Sequence, residues 1–539
     1  MATNVAGMNS TSSYLEYRGK WSGLLGWIFS LDHKRIGVLY LLTMFSLWVV
    51  GVALGLLIRF QLFYSDRGIV SPDVYNALFT VHGVIMIFFF VVPGLAAPFG
   101  NFLLPLMIGA KDVAFPKLNL LSWWLFIIGI VIVLFSLGKA PDTGWTFYVP
   151  YSTRTQTNVT MAIFGVFILG FSSILTGLNF ITTIHTMRAK GMGWFQMPLF
   201  VWALYATSWM QVLATPILGI TLLLVMADIK LGIGLFNPAQ GGDPLLYQHL
   251  FWIYSHPAVY IMIVPALGAI SEIIPTFARR TVFGYGAIAI SSLSIALVGS
   301  IVWGHHMFTT GQSETANIVF SFLTFLVAIP TGIKIFNWLA TLYGGSIEVR
   351  PPLLYALGFI FLFSIGGLTG LIQGALATDA HLHDTSFVVA HFHYVMFGGT
   401  GFAMFASLHH WLPKMTGRMY NETVSYVAFA LKFVGFNMLY GSMLVLGYMG
   451  MPRRYYNYLG QFEPLNQVAT VGSVIMVVGI LIMLVNLAIG AFRGKPSGDN
   501  PWGGTTLEWQ TSSPPPLLNF EKPPVVNGGP YDYPEVVVK

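Results

Sequence analysis

Apolar runs of about 20 residues or more, long enough to cross a bilayer as helices, recur along the whole 539-residue chain. They fall near 36–62, 74–108, 118–138, 158–187, 197–228, 247–276, 283–310, 315–342, 353–376, 385–412, 425–449 and 466–493. The polar stretches between them carry turn residues, as in "KAPDTGW" and "FNPAQGGDP". No internal repeat divides the chain. The pattern predicts an all-α integral membrane protein with about twelve transmembrane helices in one domain, 36–495. An N-terminal segment, 1–35, precedes it, and a tail, 496–539, follows. The tail, with "SSPPPLLNFEKPP", is too Pro-rich and polar to span, and reads as an extended surface segment.

Composition agrees with a membrane protein. Only 9% of residues are charged and mean hydropathy is +0.71, where a soluble domain carries about a quarter charged residues. The first ~30 residues show no cleavable signal, only a short amphipathic "WSGLLGWIF". The net charge of +6 comes from basic residues spread singly, so it marks no nucleic-acid surface. Their sidedness is informative. One set of flanks holds Arg18, Lys20, Lys34, Arg35, Lys111, Lys117, Arg188, Lys190, Arg279, Arg280, Arg350, Lys414, Arg418, Arg493 and Lys495, and the other only Arg67, Lys139, Arg154, Lys230, Arg453 and Arg454. The positive-inside rule then predicts both termini in the cytoplasm.

Chemistry enters with the histidines. Six of the thirteen lie inside spans: His82, His256, His305, His306, His391 and His393. One such histidine is usually a hydrogen-bonded core residue. Six, with few acids at the same depth, point to metal ligation. Each helical residue turns about 100°, so His391 and His393 point roughly 200° apart and serve two sites. His305 and His306 can converge, and with His256 make a three-imidazole site. His82 can close an axial pair with one histidine of "HFH". The pattern predicts a bis-His iron, a single-His iron and a three-His ion, although imidazole suits iron, copper and zinc alike. Cysteine is absent, which excludes thiolate-bound metals, iron–sulfur clusters and CxxCH haem from this chain.

The motifs "TVHGVIMIF", "HPAVY", "VWGHHMF", "IPTGIKIFNW" and "HDTSFVVAHFHYV" together resemble subunit I of the haem–copper oxidases, specifically the bacterial cytochrome c oxidases. The resemblance implies that His82 and His393 ligate low-spin haem a, that His391 ligates high-spin haem a3, and that His256, His305 and His306 hold copper B. It implies that Tyr260, at i+4 from His256, is linked to that histidine and supplies an electron and a proton when O2 is cleaved. Lys334 and Thr331 resemble the K pathway to Tyr260. Asp112, Asn101, Asn119, Ser172 and Ser173 resemble the D pathway.

Where many relatives place glutamate, this chain has Ala258. Tyr254 and Ser255 resemble the subgroup that reads YSHPxVY, with Tyr254 one turn before Ala258 as the relay. Arg453 and Arg454 resemble a haem-propionate pair, Arg59 a formyl contact favouring haem A over haem B, and His383 with Asp384 an Mg2+ or Mn2+ site shared with subunit II. The family implies O2 reduction with proton pumping in the bacterial cytoplasmic membrane. It also implies a copper A-bearing subunit II, subunit III and small subunits, a possible respiratory supercomplex, and cytochrome c or a fused or bound c-type domain as donor. Quinol-oxidising relatives carry His and Gln where this chain has Val74 and Ala77, which disfavours a quinol site. A nitric oxide reductase is expected to lack both Tyr260 and Lys334, and a twelve-span secondary transporter has no use for this histidine pattern.

Overall fold

The computed structural model describes residues 12–16 and 21–533. Arg18 and Lys20, counted for orientation, lie outside the described residues, as does the tail beyond 533. Among the described residues, eleven helices are long and apolar enough to cross a membrane. In chain order these are α1 (His33–Gln61), α2 (Pro72–Ile108), α3 (Pro116–Lys139), α4 (Val159–Thr186), α5 (Leu199–Leu231) and α6 (Pro244–Ala278), then α8 (Glu314–Leu342), α9 (Pro351–Gly374), α10 (Ser386–Thr416), α11 (Glu422–Tyr448) and α12 (Gly460–Arg493). Between α6 and α8 lies α7 (Tyr285–Gly299), apolar but only 15 residues long. The expectation of about twelve spans is therefore met by eleven long helices and a short one. Among the described residues only isolated bridges occur, with no strand.

The ends follow local chemistry. Asp32, Ser71, Asp243, Ser313 and Asn421 accept a backbone N–H in the first turn of their helices, satisfying a donor the helix cannot. Burial sorts the helices by role. Most of α6 is buried, whereas α8 buries only Pro330, Lys334, Trp338 and Thr341. α6 continues through Pro257, Pro265 and Pro275. Each proline leaves a carbonyl one turn back unpaired, tolerable where neighbouring helices surround it.

Two features depart from the sequence reading. The run 283–310 is not one helix: after Gly299 the chain tightens into a 3-10 turn at Trp303–Met307, which carries His305 and His306. The tail does not span, but neither does it stay at the surface. Trp502, Trp509, Asn519, Tyr531 and Tyr533 are buried. Trp502 donates to the His410 carbonyl at 2.7 Å, Tyr531 to Glu272 at 2.6 Å, and Asn519 to the Ala110 carbonyl at 2.8 Å. Its aromatic residues and polar anchors, spaced among prolines, fill the gaps between helix ends.

Candidate metal centres

His256 on α6 and His305 and His306 on the 3-10 turn bring three ligand nitrogens within 4.8 Å of one another. His256 Nδ1 and His306 Nε2 are 2.9 Å apart. His305 Nδ1 lies 2.9 Å from Thr324 Oγ1. That hydroxyl already donates to the Phe320 carbonyl, so it accepts from the imidazole and leaves His305 Nε2 as a free lone pair. Trp252 stacks on His306 at 3.7 Å. Three neutral imidazoles, each oriented by a neighbour, fit one borderline ion such as copper. The Tyr260 ring lies 4.9 Å from that of His256, whose buried Nε2 has no hydrogen-bond partner. A Cβ on Gly299 would come within 2.4 Å of the Tyr260 ring, so that glycine lets the ring sit here.

α10 presents its two histidines to different neighbours. His391 Nδ1 lies 3.0 Å from Thr369 Oγ1 on α9, a hydroxyl that already donates to backbone carbonyls. His393 Nδ1 donates to Val389 O at 2.8 Å, and His82 Nδ1 to Gly51 O at 2.8 Å. A carbonyl can only accept, so in both rings Nε2 keeps its lone pair, the state an axial haem ligand needs. Glycines cradle the rings. A Cβ on Gly55 would lie 3.0 Å from His82, and one on Gly370 3.1 Å from His391. His82 and His393 each precede a π-helical stretch, Ile85–Val91 and Met396–Gly401. Such wide turns favour functional sites because they re-aim side chains.

On the side where α9 meets α10, Arg453 Nη1 is 3.8 Å from Asp384 and its buried Nε is unpaired. Arg453 lies over Phe392 and Arg454 over Phe79. Burial lowers both guanidinium pKa values, that of Arg453 to about 9, so the pair favours an anion there. His383 Nδ1 pairs with Asp379 at 3.0 Å. Burial opposes its charge, but the bond to Asp379 and that carboxylate's charge outweigh it and hold His383 above its usual value. Arg59 Nη2 donates to Asn466 and Thr470, and its buried Nε is unpaired.

Two groups of buried polar residues lie within the bundle. Lys334 Nζ donates to Ser292 Oγ at 2.8 Å and Ile288 O at 2.9 Å, while the Thr331 hydroxyl bonds Val327 of its own helix. Asp112, in the loop between α2 and α3, is pushed up to about 8 by burial, reinforced by Asp32 and opposed by Lys34. Asn101 and Asn119 are both buried with unpaired side-chain atoms. Ser122 Oγ donates to the Asn119 carbonyl and accepts from Tyr40, whose hydroxyl is also 3.0 Å from Ser172 Oγ. A cavity of about 40 Å³ then joins Tyr40, Ser172, Ser173 and Gln211 to Tyr254, with room for ordered water. The buried hydroxyls of Ser173 and Ser255 have no hydrogen-bond partner among the described residues.

The sequence reading missed Asp379, Thr369, Thr324, Trp252, Ser292 and Tyr40. For Asp379 the signal was present, since it lies four residues before His383 on one helix face. The others act across helices, and spacing within one segment cannot report them.

A family profile described as "Cytochrome C and Quinol oxidase polypeptide I" matches residues 35–475. Cytochrome c oxidase subunit 1 of Thermostichus vulcanus is 46% identical over 528 residues, covering 98% of this chain and 96% of that protein. The Bacillus subtilis (strain 168) subunit 1 is 43% identical, covering 95% and 83%. A heme-copper terminal oxidase dimer solved by cryo-EM shares the fold at TM-score 0.73 and 21% identity, over 86% of this chain and 84% of that one. The histidine geometry fits the haem and copper this family binds, and the long apolar helices make it a multi-pass membrane protein. The chain belongs to the cytochrome c and quinol oxidase polypeptide I family, the catalytic subunit of haem–copper terminal oxidases.

Proposed function

We propose that this subunit reduces O2 to water with electrons from cytochrome c and couples the reaction to proton pumping, with haem a on His82 and His393, haem a3 on His391, and copper B on His256, His305 and His306. The observation that carries the reading is the convergence of the three imidazoles beside Tyr260. When bound, these groups supply electron transfer and O2 activation, for an overall consumption of four electrons and four protons per O2. The chain supplies the rest. Tyr260 gives up its hydroxyl proton and an electron as oxygen is reduced, and is restored by a proton from the Lys334 side and an electron supplied by cytochrome c. Lys334 holds a proton at Nζ beside Ser292 Oγ. Asp112 takes protons from the cytoplasm, because a carboxyl pushed up to about 8 exchanges them near neutral pH.

Above Ser172 and Ser173, the Tyr254 hydroxyl passes protons by donor–acceptor exchange in place of the missing carboxylate, with Ser255 beside it. Arg453 and Arg454 bind haem propionates, Arg59 the formyl group, and His383 with Asp384 an Mg2+ or Mn2+ completed by subunit II. With no cysteine here, the copper A thiolates belong to subunit II, which makes cytochrome c the donor favoured over quinol. Both termini face the cytoplasm of a bacterial cell. The deciding experiment is oxygen consumption by the purified complex with reduced cytochrome c or with a quinol, beside reduced-minus-oxidised spectra. Fast turnover with cytochrome c and haem a bands are expected; quinol-driven turnover that outpaces cytochrome c would overturn the donor assignment.

A further inference from the structure

The tail run "PPPLLNF" delivers one polar side chain, Asn519, into the bundle. Asn519 is fully buried and holds φ at +68°, a left-handed backbone that asparagine tolerates better than most side chains. Its amide is used completely. Oδ1 accepts from Lys34 Nζ at 2.7 Å, and Nδ2 donates to the Ala110 carbonyl at 2.8 Å. The second Nδ2 hydrogen goes to His33 Nε2 at 2.9 Å. That nitrogen has a lone pair to offer. His33 Nδ1 lies 2.6 Å from the Asn101 carbonyl, which can only accept, so Nδ1 carries the ring's proton. One tail amide therefore joins the start of α1, the loop after α2 and, through an imidazole, Asn101 of α2.

The groups so joined belong to the proposed proton entrance. Ala110 lies two residues before Asp112, and Lys34 pairs with Asp32 at 2.9 Å. Asn101 keeps a buried, unpaired Oδ1. The charges that face Asp112 come from the start of α1, where Asp32 reinforces the effect of burial on its carboxyl and Lys34 opposes it. α4 holds the same loop through neutral groups, since Thr183 and Asn179 accept the Ala114 and Phe115 N–H. Lys111, next in the chain, is exposed. We propose that Asn519 is the positioning residue of the proton entrance: its amide fixes the Asp112 loop, the Asp32–Lys34 pair and Asn101 relative to one another, so that the tail takes part in proton uptake. A neutral amide suits the place because it ties these groups together without adding a charge beside the carboxyl. Asn519 passes no proton and acts through Asp112.

The inference rests on Asp112 as the entry for protons, which loss of turnover and proton release in Asp112→Asn tests separately. Its own test is the pH dependence of oxygen consumption by the assembled complex, read at the alkaline limb. Beside it stands an infrared titration of the carboxyl C=O band that Asp112→Asn removes. Asn519→Gly keeps the left-handed backbone and deletes the amide. Water then enters the vacated space and the burial of Asp112 eases, so both midpoints should fall by about one pH unit, or about tenfold in proton affinity. Asn519→Asp keeps the shape and the Lys34 bond but adds a negative charge beside Asp112, as Asp32 already does, so both midpoints should rise. Tyr531→Phe loosens the tail at Glu272 instead and should leave them at wild-type values. Unchanged midpoints in both Asn519 variants, shifts in one direction in both, or an equal shift in Tyr531→Phe would overturn the positioning role. If Asn519→Gly fails to assemble, Asn519→Asp against Tyr531→Phe carries the comparison.

Discussion

The two sides of α10 carry histidines two residues apart, and the surroundings of those histidines differ in kind. On the His391 side are a threonine hydroxyl, three further imidazoles and a tyrosine. On the His393 side the ring is sandwiched between Phe392 at 4.7 Å and Tyr440 at 4.3 Å, and its partner His82 is held by a carbonyl. A site that must admit O2 and protons needs a free ligand position and polar access. A site that only passes electrons is best packed rigidly, since two protein ligands and immobile surroundings reduce the reorganisation each transfer requires. One helix serves both because a step of two residues turns the side chain by more than half a revolution.

The sharpest break of this comparison is a pair of ligand deletions. His391→Ala should remove the high-spin haem bands while leaving the low-spin ones, His393→Ala should remove the low-spin bands while leaving the high-spin ones, and both should abolish oxygen reduction. Loss of both signals from stably folded protein by either change would sink the two-site assignment. Next in size, Tyr260→Phe should retain both haems by absorbance yet slow turnover about 100-fold or more, since a proton donor is lost; wild-type oxygen consumption would refute its role.

Tyr254→Phe keeps the ring and removes the hydroxyl. In sealed vesicles it should cut turnover and proton release together, as Asp112→Asn should, while Lys334-dependent reduction of the site continues. Normal values for both would leave water alone to bridge the gap beside Ala258. The glycine cradles divide the sides again. Gly370→Ala, pressing on His391, should lower turnover about tenfold with altered high-spin bands, whereas Gly55→Ala should perturb the low-spin bands. Identical spectral changes from the two would contradict the separation.

The smallest effect is one of stability. The Asp112 carboxyl is raised in the folded chain to about 8, mainly by burial. The folded state therefore binds a proton that the unfolded state releases near pH 4, and its stability falls as pH rises between those limits. The melting temperature of Asp112→Asn should stay flatter over that window and exceed wild type increasingly towards pH 8. Parallel curves would show that Asp112 is not raised.

The sequence by itself determined the all-helical membrane fold, the six intramembrane histidines and the split of His391 from His393. Helical period and bilayer thickness are local constraints, readable within single segments. The motifs named the family for the same reason, since each of them lies within one short run of sequence. Tertiary structure alone decided which side chains orient the ligands. Thr369, Thr324 and Trp252 reach their histidines from other elements, and no spacing within one segment encodes a contact between two. It also decided that the run 283–310 breaks after Gly299. A 3-10 turn brings His305 and His306 towards His256, a constraint set by the partner imidazole and not by local propensity. The burial of the tail was equally hidden, because polar residues reveal their depth only through the helices that enclose them.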